Sequence, residues 1–226
     1  MKLFECQNCG HPLYFENVKC ESCGLRLGYL PTLERVSSLQ ADGERWRALA
    51  SPQELFRFCA NARYEVCNWM IPADSADQYC AACRHNRTIP DLLVPGNQAH
   101  WRMIEVAKHR LFYTLIKLRL PLATRAEEPD GLAFDFIATA APAAPVMTGH
   151  ASGLVTINLA EADDAVRERT RNQMGEPYRT LLGHFRHESA HYYWSRLIEN
   201  SNRLQEFRDL FGDEQQDYAE IGRAHV

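Results

Sequence analysis

The chain has 226 residues, of which 46% are hydrophobic, and a formal net charge of -4. This length suits one catalytic domain with one or two small modules, and the apolar content is enough for a buried core. The mild negative charge excludes a global positive field of the kind that holds a protein on nucleic acid or on an anionic membrane.

The chain carries eight cysteines and begins without the apolar stretch of a secretory signal. No later segment approaches the roughly 18 consecutive apolar residues of a membrane span. In a chain without an export signal, paired cysteines favour metal over disulfides, because the cytosol keeps thiols reduced. We therefore expect a cytoplasmic protein that has no membrane segment.

Two CxxC pairs, each followed by glycine, lie near the N-terminus: Cys6, Cys9, Cys20 and Cys23. Each pair can present two thiolates from one tight turn, and the glycine lets the backbone fold over a metal. The spacing predicts a zinc ribbon over residues 1–30. Its zinc would be structural, because four thiolates leave no coordination position for a substrate.

Residues 31–95 are predicted to form a linker and a second cysteine-containing module. They carry the other four cysteines, with one CxxC pair among them: Cys59, Cys67, Cys80 and Cys83. These four thiols could hold a second structural zinc. The alternative is that they are inert thiols buried as small apolar side chains.

Apolar residues recur at intervals of three and four from Ile104 to Leu118, which predicts a helix over 100–118 that stops before Pro121. Residues 84–125 are rich in positive charge, with eight Lys or Arg against Asp91 and Glu105. The basic residues are Arg84, Arg87, Arg102, Lys108, Arg110, Lys117, Arg119 and Arg125. A solvated helix face with acidic neighbours explains this charge better than a phosphate-binding surface does.

The segment that follows alternates between strand and helix patterns. Residues 134–139 and 153–159 are strand candidates with β-branched or aromatic residues. An acidic helix is predicted to run to Met174 with Gly175 as its cap, and the next helix is predicted to start near Pro177.

That last helix carries the run His187-Glu188-Ser189-Ala190-His191. Two histidines one turn apart share a helix face, so their ring nitrogens can converge on one zinc at about 2.0 to 2.1 Å. Glu188 is displaced around the helix, where it can act as the general base on a zinc-activated water. The motif predicts a catalytic zinc, and the alternative is a protein- or nucleic-acid-interaction module whose metal helix is not catalytic.

A catalytic zinc usually has a third protein ligand. Glu214 lies 23 residues after His191, which leaves room for the helix to end, for the chain to turn at Gly212 and for a second helix to return a carboxylate. Asp213 and Asp217 compete for this role, as does a residue beyond the end of the chain. Two further histidines, His184 and His150, are weaker candidates that fit a hydrogen-bonded neighbour as well as a ligand.

The C-terminal residues 221–226 resemble a translated sequencing adapter. We therefore expect them to be an artefactual tail on a truncated catalytic domain of residues 96–220.

Motifs along most of the chain resemble those of bacterial zinc-binding metallopeptidases that carry an N-terminal zinc ribbon. The matching segments are 4–6, 28–31, 89–92, 148–150, 161–163, 178–188 and 211–214. The resemblance implies an α+β fold, with a zinc ribbon followed by a zincin-like domain that cleaves a peptide or protein substrate. Zinc would be the cofactor, with one catalytic ion and one or two structural ions. By analogy, the 153–159 strand would line the cleft and pair with the substrate through its edge.

Overall fold

The computed structural model describes residues 2–138, 148–175 and 178–216. Asp217 and the 221–226 tail, on which two of the predictions fall, lie outside these residues. The described segments contain both helices and sheets, so the predicted α+β class is confirmed.

The N-terminal ribbon is a small antiparallel pair, in which β1 (Phe4–Glu5) pairs with β2 (Pro12–Leu13). The turn between these strands carries the first CxxC pair, and the second pair follows β2. Such short strands bury little apolar surface, so a fold of this size depends on a metal or on neighbouring elements.

A five-stranded antiparallel sheet follows, with its strands in chain order. The strands are β3 (Arg26–Leu30), β4 (Arg35–Asp42), β5 (Arg45–Ala48), β6 (Leu55–Phe58) and β7 (Met70–Pro72). A parallel bridge between Tyr29 and Trp69 brings β3 beside the segment before β7. The sheet thus spans residue 30, and it includes four strands from the segment 31–95, which the sequence predicts to be a linker and a second cysteine-containing module.

The second half of the chain is built on a four-stranded sheet with the order β10-β11-β9-β8. Its strands are β8 (Asn86–Thr88), β9 (Ala133–Ile137), β10 (Gly149–Ala151) and β11 (Leu154–Asn158). The three strands β8, β9 and β11 are parallel, and β10 is antiparallel at the edge. The prediction that the edge of the 153–159 strand pairs with substrate is wrong, because β11 has a paired strand on each side.

Four α-helices complete the described residues: α1 (Asn97–Lys117), α2 (Asp164–Met174), α3 (Leu181–Trp194) and α4 (Leu204–Phe211). The predicted α1 is confirmed, and its apolar face is buried at Ile104, Leu111 and Leu115, whereas Leu118 is exposed. Gly175 caps α2 in the left-handed conformation, as predicted.

The start of α3 differs from the prediction. The helix begins at Leu181, where the Thr180 side chain accepts a hydrogen bond of 3.0 Å from the backbone N–H of Gly183. Threonine at this position satisfies one of the free N–H groups at the helix N-terminus, which makes a start here more favourable than one near Pro177. After Trp194 the helix continues as one π-helical turn over Ser195–Glu199.

The two halves of the chain share one hydrophobic core. Phe15 of the ribbon packs edge-on against Tyr29 of β3 and Tyr113 of α1, with ring centroids 4.8 and 5.4 Å apart. The ring centroids of Tyr29 and Trp69 are 4.6 Å apart. Each such aromatic pair adds about 0.5 to 1.5 kcal/mol beyond its buried area, so the ribbon and α1 are held together by more than a linker.

Among the described residues, no helix is both long enough and apolar enough to cross a membrane.

Candidate metal centres and active site

The first four cysteines lie together, with all four sulfurs within 4.8 Å of one another. The Sγ atoms of Cys6 and Cys23 are 3.6 Å apart, and those of Cys9 and Cys20 are 3.7 Å apart. Two thiolates on a tetrahedral zinc are about 3.8 Å apart, given Zn–S bonds of about 2.3 Å, whereas a disulfide would bring them to about 2.05 Å. The donor set therefore fits a zinc ion rather than disulfides.

The backbone of each CxxC turn folds as the sequence predicts. Gly10 and Gly24 adopt left-handed φ values of 73° and 76°, and their N–H groups donate to the carbonyl oxygens of Cys6 and Cys20 at 2.8 and 2.9 Å. Burial raises the pKa of the Cys6 thiol, but its contact with Ser38 Oγ at 3.0 Å and nearby backbone N–H groups outweigh burial and lower that pKa to about 6. A thiol that ionises this readily is suited to bind zinc.

The second four cysteines also form one cluster, with their sulfurs within 4.8 Å of one another. Their buried surroundings raise the pKa of Cys67 and of Cys80 well above the usual value. Hydrogen bonds from the other three thiols hold the pKa of Cys83 well below it. Four sulfurs this close together are the donor set of a structural zinc, whose charge would offset the cost of ionising buried thiols, so this cluster fits a second zinc site.

The HExxH residues lie on α3, on the side that faces β10. His187 Nε2 and His191 Nε2 are 3.3 Å apart, and a carboxylate oxygen of Glu188 lies within 4.8 Å of both histidines. Both histidines are exposed, whereas Glu188 is 9% exposed. Phe185 fixes the helix on the sheet, because it is fully buried against Phe134 of β9, with ring centroids 5.6 Å apart.

His150 approaches the same site from β10. Its ring stacks on that of His191, and its Nε2 accepts a hydrogen bond of 3.0 Å from the backbone N–H of Gly153. Gly153 has a φ of 79° in the β10–β11 turn, and a Cβ there would lie 2.2 Å from the carbonyl oxygen of Asp130. Only glycine fits this turn, which sets the position of His150.

The structure does not bring Glu214 to this group. Glu214 lies in a turn after α4, and its two carboxylate oxygens accept hydrogen bonds of 2.6 and 2.9 Å from the guanidinium of Arg208. That contact lowers the pKa of Glu214 to about 2. Asp213 caps the same turn by accepting from the N–H of Gln215. Among the described residues, the group of candidate ligand atoms around the motif contains His187, Glu188 and His191, so a third ligand stays a prediction.

His184 points to a different neighbour from the two motif histidines. Its Nε2 is 3.5 Å from one carboxylate oxygen of Glu161, and the other carboxylate oxygen accepts a hydrogen bond of 2.5 Å from Arg179. Tyr192 and Tyr193 follow the motif but are buried in the core, and the hydroxyl of Tyr193 donates to the carbonyl of Pro121. These contacts give the three residues structural partners.

Several of the basic residues in 84–125 are ion-paired within the chain. Arg110 contacts Glu16 at 2.6 Å, and Arg84 lies 3.6 Å from Glu127. Two further pairs are Arg87 with Asp135 and Lys108 with Glu105. Acidic partners thus offset the charge of four of the eight basic residues in this region.

Sequence reasoning missed the polar cluster on the buried face of α1. Glu105, Lys108 and His109 are at most 4% exposed, and His109 reaches the second cysteine cluster. Their signal was present, because these three positions interleave with the apolar residues of that helix face. A polar residue in an apolar stripe requires a partner: Glu105 and Lys108 pair with each other and with Asn86 of β8, and His109 contacts Cys67.

Two protein families match different parts of the chain. Residues 97–225 match the family described as "Putative zinc-binding metallo-peptidase", and residues 3–94 match a zinc-ribbon domain family. Similar proteins include uncharacterized proteins of Mycobacterium bovis and of two strains of Mycobacterium tuberculosis. Each is 41% identical over 227 residues, which is 100% of this chain and 63% of the length of the relative.

No solved structure matches the chain. The peptidase family covers more than half of the sequence, including the HExxH helix, and the zinc-ribbon family covers both cysteine clusters. The chain therefore belongs to the zinc-binding metallopeptidase family and carries an N-terminal zinc-ribbon domain.

Proposed function

We propose that this protein is a zinc-dependent peptidase in which His187 and His191 hold zinc and Glu188 is the general base. The observation that carries the proposal is the pair of ring nitrogens 3.3 Å apart beside the Glu188 carboxylate. Two nitrogen ligands of a tetrahedral zinc, each bonded at about 2.0 Å, lie about 3.3 Å apart. The donor set and its spacing thus suit zinc.

Zinc at this position would supply a Lewis acid that lowers the pKa of a bound water. Glu188 would accept the proton of the attacking water and deliver it to the leaving amine. Its low exposure suits this task, because a carboxylate shielded from bulk water exchanges protons with the substrate rather than with solvent. The two histidines face solvent, which leaves room for a substrate.

The edge strand β10 would position an extended peptide. On one side it pairs with β11, and its residue His150 lies against His191. A substrate backbone added to the side of β10 that pairs with no described strand would form main-chain hydrogen bonds whatever its side chains are. This arrangement supports a peptide or protein as the substrate class.

The test compares Glu188→Gln with Glu206→Gln, an exposed glutamate of α4 that serves as the matched control. Both variants are incubated with a mixed peptide library, cleavage is followed by mass spectrometry, and zinc content is measured on the same samples. We expect Glu188→Gln to lose at least about a hundredfold in rate while keeping its zinc, and the control to keep both. Undiminished cleavage by Glu188→Gln would refute the assignment.

A second candidate function is a zinc-ribbon interaction module whose HExxH helix is not catalytic. The ion pair between Glu214 and Arg208 favours it, because that pair keeps the predicted third ligand away from the histidines. Zinc counting separates the two functions. A peptidase should contain three zinc ions per chain and lose one on His187→Ala, whereas an interaction module without the HExxH zinc should contain two and lose none.

A further inference from the structure

His109 connects α1 to the second cysteine cluster. Its Nε2 lies 3.4 Å from the sulfur of Cys67, 3.7 Å from that of Cys83 and 4.0 Å from that of Cys80. Its side chain is 5% exposed. The zinc-ribbon family ends at residue 94, so its cysteines supply four donors here and His109 is a fifth from outside it.

The protonation of His109 follows from its other ring nitrogen. His109 Nδ1 is 2.7 Å from the backbone carbonyl oxygen of Glu105. A carbonyl only accepts hydrogen bonds, so Nδ1 carries the proton, and in the neutral ring Nε2 then has a bare lone pair. Histidines that bind metals usually donate their other N–H in this way, which fixes the ring with its free nitrogen toward the metal.

The separations suit ligands of one ion. A nitrogen and a sulfur bound to a tetrahedral zinc, at about 2.0 and 2.3 Å, lie about 3.5 Å apart. The three distances from His109 Nε2, which run from 3.4 to 4.0 Å, bracket this value. The sulfurs of Cys67 and Cys80 are 3.8 Å apart, as expected for two thiolates on the same ion.

A structural zinc takes four ligands, so one of the five donors must stay outside. If His109 were left out, its Nε2 would face three metal-bound sulfurs that only accept hydrogen bonds, so the ring would have to take up a second proton and become a buried cation. If Cys59 were left out, it would be a neutral thiol at 1% exposure whose sulfur still accepts from the N–H of Cys80 at 3.4 Å. Cysteine tolerates burial as a small apolar side chain, so omitting Cys59 costs less than omitting His109.

We propose that Cys67, Cys80, Cys83 and His109 hold the second structural zinc and that Cys59 is a spare thiol beside it. The second zinc then joins the zinc-ribbon region, residues 3–94, to α1. Helix α1 also packs on the HExxH helix α3. This ligand set is independent of the proposed peptidase function, because it shares no residue with the HExxH group.

The chain contains its own reference for a decisive measurement. When the zinc is replaced by ¹¹³Cd, the first cluster gives the reference resonance of a site with four sulfur ligands. The ¹¹³Cd resonance of a site in which nitrogen replaces one sulfur lies at lower frequency. We expect one four-sulfur resonance and one resonance of a three-sulfur, one-nitrogen site that couples to the ¹⁵N of His109. Two four-sulfur resonances, with His109 protonated on both nitrogens, would overturn the proposal.

Three variants give a second readout through the metal content after dialysis against a chelator. We expect Cys59→Ala to retain the second metal, and both Cys83→Ala and His109→Asn to hold it at least about tenfold more weakly. The reverse order, with metal lost from Cys59→Ala and kept by His109→Asn, contradicts the assignment. If His109→Asn does not fold, the cadmium spectrum of the unchanged chain decides the question alone.

Discussion

The ring of His150 stacks on the ring of His191, with their centroids 6.0 Å apart and their planes at 16°. His150 is held in turn by the N–H of Gly153, so a strand turn supports a candidate metal ligand on a helix. Burial and the neighbouring His191 lower the pKa of His150, which favours the neutral form of its ring.

This contact predicts that His150 tunes the HExxH metal site. Replacing His150 by Ala removes the ring that orients His191, and we expect zinc affinity there to fall about tenfold, at the lower end of the range for residues that support ligands. His150→Phe keeps a stacking ring and should change affinity much less. Competition with a chromophoric chelator measures both, and equal affinities in the two variants would show that the stacking has no role.

The ion pair of Glu214 with Arg208 yields a prediction on the third ligand. If the carboxylate leaves Arg208 to bind zinc, Arg208→Met should raise zinc affinity at the HExxH site, because it removes a competing partner. Glu214→Gln should lower that affinity about tenfold or more. The same chelator competition measures both changes. No change in Glu214→Gln would place the third ligand elsewhere in the protein.

The buried ion pair of α1 should be a strong determinant of stability. Glu105 and Lys108 are both 0% exposed and 2.9 Å apart, and Glu105 also accepts hydrogen bonds from Trp101 and Asn86. Removing one partner leaves an uncompensated buried charge, so we expect Glu105→Gln or Lys108→Met to destabilise the protein by about 3 to 5 kcal/mol. The double variant should lose less than the sum of the two, as measured by denaturant unfolding, and strict additivity would argue against the pair.

Asp163 at the N-terminus of α2 predicts a pH effect. Its carboxylate accepts from the N–H groups of Val166 and Ala165 at 3.0 and 2.8 Å, which lowers its pKa below the usual 3.8. A lowered carboxylate pKa stabilises the fold above pH 3.8, and this stabilisation is lost as the pH falls through the folded-state pKa.

Asp163→Asn tests this effect, because asparagine still caps the helix but does not titrate. We expect the difference in unfolding free energy between the original chain and the variant to shrink as the pH drops below 3.8. A difference that stays constant from pH 6 to pH 3 would show that the cap does not depend on the charge of Asp163.

Local patterns in the sequence predict the helices well, because helix periodicity and caps are encoded within a few residues. The apolar stripe of α1 and the Gly175 cap are examples. The five-stranded sheet was not predicted. Consecutive residues of β4 are buried on both faces, as at Val36, Ser37 and Ser38, so the alternation that identifies a half-buried strand is absent.

The site was predictable only where its residues are close in sequence. The two motif histidines meet because helix geometry places residues four apart on one face. The approach of His150 and of His109 depends on how distant elements pack. The pattern of α1 indicates that His109 is buried, but it does not indicate which residue His109 contacts. Glu214 could pair with Arg208 or bind the zinc, and the spacing of these residues in the sequence does not decide between the two.

The aromatic cluster of Phe15, Tyr29, Trp69 and Tyr113 makes it difficult to divide this protein into two fragments that fold alone. It lies across the boundary between the two family regions, which meet between residues 94 and 97. A gene fragment that starts at 97 would expose the ring of Tyr113 and the rest of that helix face to water. The two regions match separate family models but share one core, so we expect a substitution in that aromatic cluster to destabilise both regions together.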